Sequence, residues 1–138
     1  MYNINKNEAL TVDIISRIIQ SFELKEKVKL SKYFNYYEGK QNIINKSYKD
    51  ASKPCNKIVK NYCYSIVNNY EGYNVGIPIT YNSNDDITAL VDVFNYNDIK
   101  NADSVLLRNA LIYGVAYEIV YIDEDAKQRF KAIDPREC

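Results

Sequence analysis

Residues 56–81 read NKIVKNYCYSIVNNYEGYNVGIPITY, and the first part of this stretch carries a helical pattern. Its apolar side chains recur every three or four residues, which places them on one side of a helix; they are Val59, Tyr62, Cys63, Ile66, Val67 and Tyr70. Asn56 precedes the pattern as a candidate N-cap, and Pro54 disfavours a helical conformation before it. The sequence therefore predicts a helix from Asn56 whose apolar stripe, Ile66 included, faces the core.

The second part of the stretch changes its period from 3.6 to two residues. Gly72 is expected to end the helix in a left-handed conformation. Beyond it, apolar side chains alternate with small or polar ones, and the apolar set is Tyr73, Val75, Ile77, Ile79 and Tyr81. Pro78 has no N–H to donate, so the predicted strand lies at a sheet edge or pairs on one side only.

The segments before this stretch are predicted to be helical and then irregular. Residues 1–10 are polar and are expected to form a loose arm. Thr11 is a candidate N-cap for a helix that ends near Ser21, and a second helix is predicted over residues 23–38, ended by Gly39. Residues 40–55 read as a connection.

The segments after it combine helices with a hairpin. Residues 82–86 form a turn cluster that starts a short helix, and Asn101 or Asp103 is expected to cap the next one, which Gly114 ends. Residues 115–122 are β-branched and aromatic, typical of a central strand, and residues 128–133 return after a short loop. The predicted fold class is α+β, with helices packed on a small antiparallel or mixed sheet.

The composition excludes several classes of protein. The 18 basic and 18 acidic residues cancel, so no overall positive field favours a grip on DNA or on an anionic membrane. Three cysteines without a signal-peptide pattern favour a reducing compartment, and no apolar run approaches the ~20 residues that span a bilayer. We expect a soluble, cytosolic protein without membrane contacts.

The chain offers few candidates for catalysis or metal binding. It contains no histidine, which excludes catalytic triads and histidine metal sites. Cys63 lies on the apolar stripe and is interpreted, like Cys55, as structural. Asp85 and Asp86 are better explained as helix caps than as paired catalytic carboxylates, and no glycine belongs to a phosphate-binding motif. The acidic residues 123–125 lack the spacing of a calcium loop and are interpreted as a solvated hairpin tip.

Tyrosines next to lysines, Tyr33 and Tyr62 above all, could stack on single-stranded nucleic acid. Their helical spacing favours packing in a core or at a subunit interface instead. The sequence thus predicts no catalytic, cofactor-binding or metal-binding residue.

Five groups of residues occur in an order and at a spacing that resemble a known family. They are Tyr37-x-Gly39, Lys53-Pro54-x-Asn56-Lys57-Ile58-Val59-x-Asn61, Gly72-Tyr73-x-x-Gly76-x-Pro78, Gly114-x-Ala116-Tyr117-Glu118 and Asp134-Pro135-Arg136-Glu137. Together they resemble the N-terminal part of tailed-bacteriophage portal proteins, of the type that siphoviruses with headful packaging use. The resemblance spans residues 33–137.

The resemblance implies a structural subunit with no enzymatic activity and no cofactor. Portal proteins form a homo-oligomeric ring, usually a dodecamer, at one capsid vertex, and double-stranded DNA passes through the ring during packaging and ejection. The implied partners are the terminase motor, capsid or scaffold proteins and the head–tail connector. The implied location is the virion, and the host cytoplasm during assembly. On this hypothesis residues 1–138 are the wing region of a longer portal protein.

Two alternatives stay open on the sequence alone. The chain could be a small standalone protein-binding α+β module. It could also bind nucleic acid through the basic residues between Lys25 and Lys32, although Glu23 and Glu26 interrupt that face.

Overall fold

Five α-helices precede a two-stranded antiparallel sheet in the part of the chain that the computed structural model describes, which is residues 10–47, 54 and 56–138. The predicted α+β class is confirmed. The elements are α1 Val12–Ser21, a π-helical turn Phe22–Glu26, α2 Lys27–Tyr37, a 3-10 turn Asn42–Asn45, α3 Tyr62–Val75, α4 Thr88–Tyr96, α5 Ile99–Tyr113, β1 Tyr117–Ile122 and β2 Gln128–Ile133. The predicted loose arm, residues 1–10, lies outside the described residues except for Leu10.

The first two predicted helices form one continuous helical segment. Thr11 caps it as predicted, since its hydroxyl accepts a hydrogen bond from the backbone N–H of Ile14 at 3.4 Å. The predicted break near Ser21 is wrong, because no glycine or proline stops the helix there. Instead the backbone N–H of Lys27 donates to the carbonyl of Phe22. This π-type bond accommodates one additional residue and shifts the phase of the apolar face.

Gly39 ends α2 in the way that the sequence predicts. Its φ is +80°, in the left-handed region. The backbone N–H of Lys40 donates to the carbonyl of Asn35 at 2.8 Å, and that of Gly39 donates to Tyr36 at 3.1 Å. This pair of bonds is the Schellman motif, which satisfies carbonyls at the end of a helix.

Helix α3 begins and ends later than predicted. Its N-cap is Asn61, whose side-chain oxygen accepts from the backbone N–H of Tyr64 at 3.1 Å, so the assignment of Asn56 as cap is wrong. The helix continues through Gly72 to Val75, and Gly72 does not adopt a positive φ. A glycine inside a helix costs only about 1 kcal/mol, and the contacts that Glu71 makes with α5 outweigh that cost.

The predicted core stripe of α3 is also largely wrong. Val67 is buried, but Ile66 and the tyrosines of the stripe are mostly exposed, and Val59 precedes the helix. Because the helix starts at Tyr62, it presents Val67 and Glu71 to its neighbours instead. The strand predicted after Gly72 is absent: residues 73–75 are helical, and residues 76–81 pair with no strand among the described residues.

Because Gly72 is helical, we expect Gly72→Ala to stabilise the protein by about 1 kcal/mol, the difference in helix propensity between the two residues. No atom lies within 4 Å of the position that the new Cβ would take. The matched control is Gly76→Ala, whose Cβ would overlap the carbonyl oxygen of Gly72, and we expect this variant to be destabilised. Urea unfolding measures both. A clear loss of stability in Gly72→Ala would contradict a helical Gly72.

Helices α4 and α5 are separated by a single sharp turn. Asp86 accepts hydrogen bonds from the backbone N–H and the hydroxyl of Thr88, at 3.0 and 2.6 Å, at the start of α4. Asp98 then adopts a left-handed conformation with φ of 48°, and α5 starts directly after it at Ile99. Caps at Asn101 or Asp103 were therefore wrongly predicted, and both residues lie inside α5. Gly114, with φ of 76°, ends α5 as predicted.

The hairpin forms where it was predicted, with β2 at the predicted bounds, but β1 begins at Tyr117 and not at residue 115, and its surroundings differ. β1 and β2 pair antiparallel from Tyr117 opposite Ile133 to Ile122 opposite Gln128. β1 is not a central strand: among the described residues it pairs with β2 only, and all six of its residues are exposed. The core lies mainly where α2, α3 and α5 meet, with the buried residues Leu30, Val67 and Tyr113, and α1 adds Ile14.

Candidate functional site

An ion pair with a buried carboxylate and a partly exposed guanidinium joins α3 to α5. Glu71 is only 9% exposed. One of its oxygens accepts from Nε of Arg108 at 2.8 Å, and the other accepts from a terminal guanidinium nitrogen of Arg108 at 2.5 Å and from the Ser104 hydroxyl at 2.8 Å. We call Glu71, Ser104 and Arg108 the ion-pair cluster, and it is the first of three joints between elements of the fold. Its guanidinium binds the carboxylate with two nitrogens, the strong geometry for this pair.

The electrostatics of the ion-pair cluster favour the charged forms. The hydrogen bonds from Arg108 hold the pKa of Glu71 below its usual range although burial opposes this, and the same bonds raise the pKa of Arg108. A carboxylate held by a guanidinium and a hydroxyl is a poor general base, because proton uptake would break those bonds. The cluster therefore fits a structural role.

Tyr37 extends this polar region toward α2. Its hydroxyl donates to the side-chain oxygen of Asn68 at 3.3 Å, and its ring lies 5.3 Å from that of Tyr64 between centroids. Burial is the main cause that raises the pKa of Tyr37. Helices α2, α3 and α5 are thus connected by polar contacts as well as by apolar packing.

A second joint holds the end of the described chain against α2 and α5. The guanidinium of Arg136 lies 4.1 Å from the ring centre of Phe34 and 5.8 Å from that of Tyr113. The same group donates to both carboxylate oxygens of Asp134, from Nε at 3.0 and 3.1 Å. Pro135 between them is fully buried. The segment after β2 is therefore fixed in place by a cation–π contact and an ion pair.

A third joint connects the end of α2 with the start of α3. The side-chain amide of Asn61 donates to the carbonyl of Tyr37 at 2.7 Å while its oxygen caps α3. A Cβ on Gly39 would lie 3.1 Å from that same amide nitrogen, so the close approach favours glycine. Lys57 donates to the carbonyl of Ile44 at 2.7 Å nearby. Several residues of the motifs that resemble the family, Gly39, Asn61 and Arg136 among them, thus lie at structural joints.

Two of the acidic residues considered for catalysis or metal binding, Asp86 and Asp123, form hydrogen bonds that stabilise the local backbone. Asp86 contacts Thr88 at the start of α4, and Asp123 accepts from the backbone N–H groups of Asp125 and Lys127 at 3.0 and 2.9 Å. Those backbone bonds lower the pKa of Asp123 and close the hairpin turn. Among the described residues there is no group of three or more side chains that could hold a metal ion.

The cysteines differ from their predicted environment. Cys63 was expected in the core, but it is exposed, because α3 buries the face that carries Val67 and Glu71 instead. Cys138 is also exposed, and Cys55 lies outside the described residues.

Exposed apolar side chains are the most extensive feature of the surface. The outer side of α3 presents Tyr62, Ile66, Tyr70 and Tyr73, the last 92% exposed. β1 adds further residues, among them Ile119, Val120 and Ile122. Tyr33 and Tyr62, expected in a core or an interface, are both exposed. Large exposed apolar patches are typical of protein–protein interaction sites.

Sequence reasoning missed the ion-pair cluster. A signal existed, since Ser104 and Arg108 stand four residues apart in α5 and Glu71 follows Val67 by four residues in α3. The spacing places each pair on one helix face. The sequence did not indicate that these two faces, one on α3 and one on α5, pack against each other.

Tyr113 gives this region a measurable alkaline transition. Burial, together with the negative charge of Asp134, raises the pKa of Tyr113 to about 12 from 10.0. The folded state therefore favours neutral Tyr113; this contribution is complete below pH 10 and is lost as the pH rises toward 12. Tyrosinate absorbance of the wild type and of Tyr113→Phe should differ only near the upper end of this range. A difference that titrates at pH 10 would show that Tyr113 is not buried.

The comparisons with known proteins give one match. A family model described as phage portal protein, SPP1 Gp6-like, matches residues 17–138. No curated protein matches the chain significantly. Within the described residues, no helix is both long and apolar enough to cross a membrane.

Proposed function

The chain belongs to the family of SPP1 Gp6-like phage portal proteins, and we propose that it acts as a subunit of the portal ring through which the phage genome is packaged and ejected. Its family role is structural. The observation that carries the proposal is the family match, which covers all the described helices from Arg17 onward and both strands.

The surface supports an assembly role. A ring subunit contacts two neighbours, and such contacts bury apolar and aromatic side chains. The outer side of α3 and both faces of β1 carry side chains of this kind. The three joints keep the elements that present these surfaces in fixed relative positions, which lowers the entropy cost of association.

We further propose a size, a location and a set of partners for the ring. The ring is a dodecamer at one vertex of the capsid, and residues 1–138 contribute its outer wing, with residues 1–10 as an arm. The terminase motor, the capsid or scaffold proteins and the head–tail connector bind the assembled ring. The protein resides in the host cytoplasm until it is built into the virion.

For duplex DNA, we expect weak and nonspecific binding by this chain. Its net charge is zero, so few counterions are released on contact with phosphates. Fluorescence anisotropy at physiological salt should give a Kd no tighter than roughly 10⁻⁴–10⁻⁶ M, the usual range for nonspecific binding. Tight binding at that salt would favour the nucleic-acid-binding alternative, with Lys25 to Lys32 as its surface.

Complementation tests the proposed function in the phage. A phage with an early stop codon in this gene should produce heads without DNA, and supply of the protein from a plasmid should restore filled heads. Filled, infectious particles in the absence of the protein would refute a portal role.

A further inference from the structure

The two outer edges of the β1–β2 hairpin differ in whether their backbone groups have hydrogen-bond partners. On the outer edge of β2, the side chain of Asn97 acts like a neighbouring strand: its amide donates to the carbonyl of Gln128 at 2.8 Å, and its oxygen accepts from the N–H of Phe130 at 3.0 Å. No strand in the described part of the chain, residues 10–47, 54 and 56–138, pairs with the outer edge of β1. One edge is covered and the other is open.

The register identifies the groups on the open edge. Opposite residues in an antiparallel pair either exchange both hydrogen bonds or none. Phe130 donates its N–H to Asn97, so Phe130 and its opposite residue Val120 are not hydrogen-bonded to each other. The N–H and C=O of Val120 therefore point away from β2. By the two-residue period, the backbone groups of Glu118 and Ile122 point the same way.

A segment with a strand pattern elsewhere in the chain also lacks a strand partner. Residues 77–81 alternate apolar with small or polar side chains, yet residues 78–81 belong to no helix, turn or strand. Ile77 is 84% exposed. Since Pro78 has no N–H, only the edge of this segment that carries the N–H groups of Ile79 and Tyr81 can pair fully.

The segment contacts α4, which packs on β2 rather than on β1. The ring of Tyr81 packs on Phe94 of α4 at 4.9 Å between centroids, and Phe94 packs on Phe130 of β2 at 6.4 Å. The α4–α5 junction holds the outer edge of β2 through Asn97. These contacts hold Tyr81, at the end of the segment, against α4, and the described residues show no pairing of the segment with β1.

We propose that residues 77–81 of one subunit add as a strand to the open edge of β1 in a second copy of this chain. Donor and acceptor are different surfaces of one subunit, so the contact is head-to-tail, and head-to-tail contacts are the kind that close into rings. The inference rests on the proposed function for the existence of a ring and specifies one interface within it.

Charge favours an antiparallel arrangement of the added strand. In a parallel arrangement, Asp85 and Asp86 of one copy would approach the acidic hairpin tip at residues 123–125 of the other. The antiparallel arrangement directs them toward Gly114 instead and avoids this repulsion.

Proline substitutions in the full-length protein test the proposal. Ile79→Pro and Val120→Pro each remove one N–H of the added ladder, and the loss of one such bond should weaken association by about tenfold. Thr80→Pro is the matched control, because the N–H of Thr80 points to the other edge of the segment, and it should assemble like the wild type. Sedimentation velocity measures the assembled fraction. Hydrogen exchange should show the outward amides of β1, those of Glu118, Val120 and Ile122, protected only in the assembly.

Three other results would overturn the proposed strand addition, and they differ in what they imply for the ring. If the wild type assembles and Ile79→Pro and Val120→Pro assemble equally well, the strand addition is refuted while the ring stands. Ile79 lies outside the helices and strands, so its variant stays informative even if Val120→Pro disturbs the hairpin. Protection of the β1 edge already in the monomer would show that the same chain covers it, which overturns the proposal. A wild type that never assembles overturns the ring and this inference together.

Discussion

Replacement of Tyr113 by alanine is expected to lower the free energy of unfolding by about 3–5 kcal/mol, the usual cost of removing a large aromatic ring from a core. Tyr113 is 6% exposed, and its ring stacks on Phe34 with centroids 6.3 Å apart. Arg136 also lies against it. The substitution thus opens a cavity and loosens the joint that holds the segment after β2.

Tyr73→Ala is the matched control, since Tyr73 is almost fully exposed and a surface substitution stays within about 0.5 kcal/mol. Urea unfolding followed by circular dichroism measures both variants. Equal stabilities of the two variants would contradict the position of the core between α2, α3 and α5.

Replacement of Arg108 by leucine is expected to cost about 2–3 kcal/mol, because it leaves the buried carboxylate of Glu71 with only the Ser104 hydroxyl as a partner. The value is below the full cost of breaking a buried pair, since the Arg108 side chain is 44% exposed and solvent screens part of the interaction. The double variant Arg108→Leu with Glu71→Leu should recover part of the loss, because no charge is then left buried.

The effect of Arg108→Leu should depend on pH. The folded pKa of Glu71 lies below its ordinary value of 4.5, so the stability that the pair contributes is present above pH 4.5 and is lost as the pH falls through the folded pKa. The difference between wild type and variant should therefore shrink in acid. Lys40→Met, which removes an exposed partner of Glu38, is the control and should change stability by less than about 1 kcal/mol. A pH-independent cost for Arg108→Leu would argue against a charged pair.

The features that were correctly predicted depend on chemistry within a few residues. Thr11 caps α1, Gly39 and Gly114 end helices at positive φ, and residues 123–127 form the hairpin loop. In each case a side-chain hydroxyl, a missing Cβ or a short polar loop favours one local geometry whatever the rest of the chain does. The bounds of β2 and the end of β1 followed from the same local signals, whereas β1 begins two residues later than predicted.

The features that were missed depend on contacts between distant segments. Gly72 was expected to end α3. Glu71 beside it instead binds Ser104 and Arg108 of α5, which are 33 and 37 positions away in the sequence, and these bonds favour continuation of the helix. The orientation of the α3 stripe was wrong for the same reason, since burial of Glu71 turns Ile66 and Tyr70 outward. Periodicity alone does not reveal that a charged side chain will be buried with a partner.

The candidate site was predicted only in part. The absence of histidine directed the interpretation toward a structural protein, and the family match agrees with that class. Asn61 and Arg136 belong to the motifs that resemble the family, but those motifs do not reveal that the two residues hold elements of the fold together. That role requires knowledge of which helices meet, and Asn61 reaches Tyr37 across 24 residues.

Electron microscopy of the purified full-length protein tests the central claim most directly, which is that this chain is a subunit of a portal ring. The account predicts closed rings with a central channel, built from copies of this chain alone. A protein that stays monomeric at every concentration, or that forms open filaments instead of closed rings, would contradict it.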